Sequence, residues 1–268
     1  MTRVAVLGGG VMGETLLSGL IRAGRRVDDL VVGERRSERA AELHERYGVE
    51  TAPSVEAAKR ADTLALVVKP QDMADLLNEI SSVVRPEQLV VSLAAGITTA
   101  FVEDRLPAGV AVVRVMPNTP ALVDEGMAAI SRGSHCDESH LIEAESLMSA
   151  TGRVLRVPER QQDAVTAISG SGPGYIFFVV EAMIEAGVHL GLPRSTAAEL
   201  VVQTLVGSAK LLRDTGEHPV VLRERVTSPG GTTAAALREL EDHKVRAAFL
   251  GAIEAARDRS RALAEGMD

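Results

Sequence analysis

The sequence predicts an α/β protein in two parts: a doubly wound parallel sheet over residues 1–158 and an all-α part over residues 159–268. Three observations carry the prediction. Short β-branched runs alternate with amphipathic stretches as far as Pro158, a glycine-rich turn follows the first run, and beyond Pro158 the periodicity is helical as far as Leu263.

The runs Val4–Leu7, Leu30–Gly33, 64–68, 89–93 and 110–115 are each closed by Gly, Pro, Ser or Thr and followed by a helical pattern. Such alternation builds βαβ units. Two shorter runs at 127–130 and 154–157 flank a helix expected at 137–150 and add edge strands. In the second part the helices break at Ser169-Gly170-Ser171-Gly172-Pro173, at Gly191-Leu192-Pro193, at Gly216 and at Ser228-Pro229-Gly230-Gly231. The helix after Pro173 carries Ile176, Phe177, Phe178, Val179, Val180, Met183, Ile184 and Val188, so it is apolar on nearly every face. A part of about 110 residues cannot surround such a helix alone, and a partner subunit is expected to complete its burial.

Composition limits the partners. The chain has 268 residues, 46% hydrophobic and 25% charged, and a formal net charge of −8, which argues against an electrostatic nucleic-acid or anionic-membrane surface. Any anionic ligand must be held locally. The first strand starts at Arg3 with no secretory leader ahead of it, and no segment reaches roughly 18 uninterrupted apolar residues. The single cysteine, Cys136, excludes an internal disulfide framework and fits a reducing compartment, so the expected location is cytoplasmic.

The turn Gly8-Gly9-Gly10-Val11-Met12-Gly13 supplies Gly-x-Gly-x-x-Gly between a strand and a helix face of Leu16, Leu17, Leu20 and Ile21. Gly8 permits the tight turn, Gly10 lets a pyrophosphate approach the backbone, and Gly13 packs helix on strand, with Val11 and Met12 opening the helix. This makes the first part a Rossmann-type dinucleotide-binding domain. Glu34 closes the next strand about 20 residues on, where a carboxylate accepts from a ribose 2′-hydroxyl and favours NAD. Arg35 and Arg36, with the Ser37 hydroxyl, favour the 2′-phosphate of NADP instead. Two guanidinium groups outweigh one carboxylate, so the expected cofactor is NADP, with NADPH preferred and NADH open.

In an open parallel sheet the ligand crevice lies at the carboxyl ends of the strands. Lys69 and Pro70 stand there as candidate cofactor contacts, and the small residues Ala94, Ala95 and Gly96 suit a nicotinamide lying on backbone. Asn118, between Pro117 and Pro120, is held in a rigid turn. In the second part, Val226-Thr227-Ser228-Pro229-Gly230-Gly231-Thr232-Thr233 heads a helical run, and the free amides of such a start hold a small carboxylate.

These blocks, with Asp163-Ala164-Val165-Thr166-Ala167-Ile168-Ser169-Gly170-Ser171-Gly172-Pro173, run in order from end to end and resemble pyrroline-5-carboxylate reductase. The resemblance implies NAD(P)H-dependent reduction of 1-pyrroline-5-carboxylate to L-proline, the last step of proline synthesis, by hydride transfer to the imine carbon. It also implies an N-terminal Rossmann domain, a helical dimerisation domain and often a pentamer of dimers. By the same resemblance Gly230, Gly231 and Thr232 bind the carboxylate, Thr233 places its hydroxyl on the ring nitrogen as the catalytic position, and Asn118 belongs to the substrate site. Ser54 stands where Asn commonly touches the cofactor, and Val11 where the family often has Asn.

The chemistry agrees. A protonated cyclic imine needs only a hydride, so the protein mainly orients it, and no Ser-His-Asp dyad or triad is required. Asp242-His243-Lys244-Val245 replaces an acidic-Gly-Gly-Phe stretch, and His243 reads as a loop residue. His135, Cys136, Asp137 and His140 read as a helix start, with no metal site expected. Two alternatives stay open: a reductase of six-membered cyclic imines, and a nucleotide-binding regulator without turnover. Lys69, Asn118 and Thr233 speak against the regulator, which would need no substrate pocket.

Overall fold

A computed structural model of the chain describes residues 2–265. Its backbone gathers into two compact units, one of residues up to Ser171 together with those from Ala256 on, the other Gly172–Ala255.

The first unit is built on a sheet in the order β3-β2-β1-β4-β5-β6-β7-β8. Its strands are β1 (Val4–Leu7), β2 (Leu30–Gly33), β3 (Glu50–Ala52), β4 (Thr63–Leu66), β5 (Leu89–Ser92), β6 (Ala111–Met116), β7 (Gly126–Arg132) and β8 (Gly152–Arg156). The first six pair in parallel, β7 runs antiparallel to β6, and β8 is parallel to β7. Alternation along each strand sends side chains into two cores. Val4 and Val6 meet helices α1 (Val11–Arg22), α2 (Ser37–Tyr47) and α6 (Glu138–Met148) through Leu16, Leu17, Leu43 and Leu147. Ala5 and Leu7 meet α3 (Ser54–Lys59), α4 (Met73–Ile80) and α5 (Thr99–Glu103) through Ala57, Met73, Leu77 and Phe101. Cover on both faces is why these strands read as continuous apolar runs. The order reverses between β1 and β4, which opens a crevice at the carboxyl ends of those strands.

Two local features depart from the sequence expectation. β3 is a strand of three residues, Glu-Thr-Ala, that carries no apolar alternation and exists through its parallel pairing with β2. The break expected at Ser169–Pro173 is instead a π turn, Thr166–Gly170, joining α7 (Gln162–Val165) to α8 (Gly172–His189). The Ser171 amide donates to Thr166 O at 2.8 Å, and the Thr166 hydroxyl donates back to Gln162 O at 2.9 Å, so the wide turn keeps its backbone groups paired.

The second unit holds α8, α9 (Arg194–Thr215), α10 (Pro219–Arg225), α11 (Thr232–Asp242) and the start of α12 (Val245–Glu265). α8 and α9 meet where Gly187 lies on Ala197: a Cβ at Gly187 would come within 2.9 Å of the Ala197 methyl. Ala197 is buried, but α8 buries no residue, and Phe177 and Phe178 are 66% and 72% exposed. The helical run Glu159–His189 is also long and apolar enough to cross a membrane by length and composition.

Candidate nucleotide site and anion seat

The glycine turn explains itself atom by atom. At Gly8, φ is +114° and a Cβ would lie 2.8 Å from Val67 O, while at Gly13 a Cβ would fall onto Gly8 O. These two glycines serve packing. A Cβ at Gly10 would meet nothing within 4 Å, so the turn presents bare backbone to open space there, as a pyrophosphate requires. Gly10 is the N-cap of α1 with no side-chain cap, and the amides of Gly10, Val11 and Met12 have no acceptor among the described residues. Val11 is exposed, whereas Met12 packs onto the core and anchors the helix start. This donor set fits an anionic group of a dinucleotide.

At the end of β2 the Glu34 side chain is 7% exposed and turned into the glycine turn. Its Oε2 accepts from the Gly9 amide at 3.1 Å, and its Oε1 accepts from Arg36 N at 2.9 Å and Arg36 Nε at 3.1 Å. Burial pushes its pKa up, but the bonds from Arg36 and the Gly9 amide outweigh it and hold the carboxyl below its ordinary value. Arg35 and Arg36 are exposed, and Arg35 pairs with Glu79 of α4 at 2.8 Å. Each guanidinium proposed for a 2′-phosphate therefore already has a carboxylate partner.

The remaining candidates of this unit line the strand ends. Lys69 is exposed, Ala94 is buried, Ala95 is exposed, and Gly96 turns with φ +78°. Pro70, Ala95 and Gly96 border a cavity of about 510 Å³ whose far wall is the end of α12, with Arg259, Ser260 and Leu263. Sequence reasoning missed that wall, since helical periodicity does not tell where a last helix returns. Ser260 ties it down by donating to Asp163 Oδ1 at 2.8 Å. Ser54 opens α3 and is buried. Asn118 donates from Nδ2 to Ser169 O at 3.2 Å and accepts from the Met127 amide at 2.8 Å, so its amide braces the π turn against β7.

In the second unit Gly230 takes φ +68°, and the Gly231 amide donates to Ser228 O at 3.0 Å. Gly231 was expected to offer that amide to a carboxylate; the structure uses it to close the turn. The amides of Thr232 and Thr233, at the uncapped start of α11, have no acceptor among the described residues. Of the three amides expected to hold the carboxylate, those of Gly230 and Thr232 have no acceptor among the described residues, and that of Gly231 is engaged within the turn. Thr233 is partly buried, and His243 is exposed at the end of α11 with its Nδ1 2.9 Å from Glu239 O. His140 and Asp137 form a reciprocal capping box at the start of α6.

Fold, glycine turn and crevice together define a nicotinamide-nucleotide oxidoreductase of the doubly wound class. Residues 3–96 match the family described as NADP oxidoreductase, coenzyme F420-dependent, and residues 159–263 match the family described as pyrroline-5-carboxylate reductase dimerisation. Pyrroline-5-carboxylate reductase of Corynebacterium melassecola is 47% identical, covering 98% of this chain and 99% of the relative. That of Mycobacterium tuberculosis is 46% identical, covering 98% and 97%. Among solved structures, a pyrroline-5-carboxylate reductase from Coxiella burnetii superposes with a TM-score of 0.93 at 36% identity, covering 98% of each chain. The Plasmodium falciparum pyrroline carboxylate reductase with NADP bound superposes with a TM-score of 0.88 at 28% identity, also covering 98% of each chain. The chain belongs to the pyrroline-5-carboxylate reductase family.

Proposed function

We propose that this chain reduces 1-pyrroline-5-carboxylate to L-proline with NADPH, the dinucleotide lying on the Gly8–Gly13 turn and along Ser54, Lys69, Pro70 and Ala94–Gly96. The observation that carries the reading is a second anion seat: the free amides of Thr232 and Thr233 at a glycine-shaped helix start. A dinucleotide alone needs only the first seat. A small cyclic imino acid needs the second.

When bound, the reduced nicotinamide supplies the hydride. The α11 start, shaped by Gly230 and Gly231, holds the substrate carboxylate, and the Thr233 hydroxyl fixes the ring nitrogen so that the imine carbon is presented in one orientation. The nitrogen carries its proton beforehand; as the new C–H bond forms, the C=N π electrons become the nitrogen lone pair. No residue must deliver a proton in that step, which is why a threonine suffices at this position. Asn118 contributes by bracing the Ser169 turn rather than by a free amide. We further propose a cytoplasmic homodimer, assembling as a pentamer of dimers. The buried free thiol of Cys136 suits a reducing compartment, and the exposed apolar faces of α8 and α9 suit a second copy.

Initial rates test the reading. Purified protein should oxidise NADPH in the presence of 1-pyrroline-5-carboxylate, faster than with the six-membered homologue, and Thr233→Ala should lower kcat by roughly tenfold. Nucleotide binding without turnover would sink the assignment, and unchanged turnover in the variant would remove Thr233 from the chemistry.

A further inference from the structure

Gly9, the middle glycine of the turn, is caught at both of its polar groups by the next βαβ unit. Its amide donates to Glu34 Oε2 at 3.1 Å, and its carbonyl accepts from Arg39 Nε at 2.8 Å. The peptide that follows is planar and trans, so its carbonyl oxygen and its N–H point in opposite directions. Fixing Gly9 O therefore fixes where the Gly10 N–H points. That N–H is one of the free amides, and beside it lies the open space at Gly10.

Arg39 is itself held. All three of its guanidinium nitrogens already donate: Nε to Gly9 O, Nη1 to Glu42 at 2.9 Å, and Nη2 to Glu14. Glu14 stands in the first turn of α1 and also accepts from Arg46 Nη1 at 2.6 Å and the Tyr47 hydroxyl at 2.8 Å. Arg39 and Glu14 are mostly buried, at 19% and 17% exposure, which makes the pair stiffer than a surface ion pair. Burial pushes the Glu14 pKa up, and the bonds from Arg39, Tyr47 and Arg46 outweigh it, so the carboxylate is charged and neutralised where an anion would sit nearby. Helix α2 thus grips the turn through one side chain.

We propose that Arg39 is a positioning residue for the nucleotide: through the Gly9 carbonyl it aims the Gly10 amide at the pyrophosphate. The inference rests on the reading that this turn seats a dinucleotide. Because the pyrophosphate is common to NADPH and NADH, Arg39 must serve both alike, unlike a residue that reads the 2′-phosphate.

The test uses the full-length protein, with NADPH and NADH titrated separately and steady-state rates measured on the parent, Arg39→Met, Arg39→Lys and, for comparison, Arg36→Met. Arg39→Met should weaken both nucleotides by the same factor, roughly tenfold, the scale of one lost charge-assisted hydrogen bond. The loss should fall on KM for the nucleotide, with kcat at saturation within about twofold of the parent. Arg39→Lys should weaken both nucleotides by a similar factor, since an ammonium keeps the charge beside Glu14 but not the fork that also reaches Gly9. Unchanged affinities in Arg39→Met overturn the proposal, and so does a loss confined to NADPH. Should Arg39→Met fail to unfold cooperatively, Arg39→Lys decides by the same comparison: an equal loss for both nucleotides supports the proposal, and parental affinities or a loss confined to one nucleotide overturn it. A parent that binds neither nucleotide overturns the dinucleotide reading itself.

Discussion

Arg35 and Arg36 are charged groups that already have partners within the chain. Both guanidinium groups are exposed and carry carboxylate partners, Glu79 and Glu34. An ion pair with an exposed guanidinium, such as Arg35–Glu79, contributes little in water, so a phosphate dianion with bidentate geometry can displace its carboxylate at small cost. Glu34 differs from Glu79: it is almost fully covered and also holds the Gly9 amide, so it would stay with the turn if an arginine exchanged partners. Arg35→Ala is therefore expected to raise KM for NADPH several-fold, about 1 kcal/mol of binding, with a smaller change for NADH. Equal losses for the two nucleotides, measured by initial rates, would show that Arg35 does not read the 2′-phosphate.

At the scale of elements, the glycine turn separates packing from binding in a way that two variants can resolve. A methyl at Gly13 collides with Gly8 O, so Gly13→Ala must push α1 off β1 and should cost about 1–3 kcal/mol of stability by chemical denaturation. At Gly10 the backbone is extended (φ −69°, ψ −171°) with open space beyond, so Gly10→Ala should keep its stability and lose nucleotide affinity. Parent-like affinity in Gly10→Ala would argue that nothing approaches the backbone there. These positions were legible because glycine spacing encodes sterics directly. The strands of the parallel sheet were legible for a related reason, since burial on both faces demands unbroken apolar runs. β3 was not, because three residues of Glu-Thr-Ala carry no periodicity and only β2 makes them a strand. Nor was the π turn: Ser169-Gly170-Ser171-Gly172-Pro173 reads locally as a break, and Asn118 reaches its Ser169 from a loop 51 residues away in sequence. Arg39 is one arginine among several on an amphipathic helix, and its bond to Gly9 exists only once two βαβ units are stacked.

For the whole molecule, the informative quantity is apolar surface that one chain leaves uncovered. Phe177, Phe178, Leu200 and Val206 are all more than half exposed, in a unit whose α8 buries nothing. Where exposed apolar side chains gather into one patch they mark an interaction surface in soluble proteins. A bilayer is the weaker cover, because Glu181 and Glu185 stand inside the same apolar helix, and ionisable residues at membrane depth are expensive. A second copy is the better one, in keeping with the dimerisation family that residues 159–263 match. If so, folding and association are one equilibrium, and the melting temperature should rise with protein concentration. Phe178→Glu supplies the sharper test. A substitution at a position 72% exposed in the single chain ordinarily changes stability by no more than about 0.5 kcal/mol. Here it should abolish the dimer in light scattering and destabilise the protein by well over that allowance, seen as a lower melting temperature, because dimerisation would bury the carboxylate against the partner without a counter-charge. A variant that stays dimeric with a parental melting temperature would place the interface elsewhere. A parental mass of ten chains rather than two would support the pentamer of dimers.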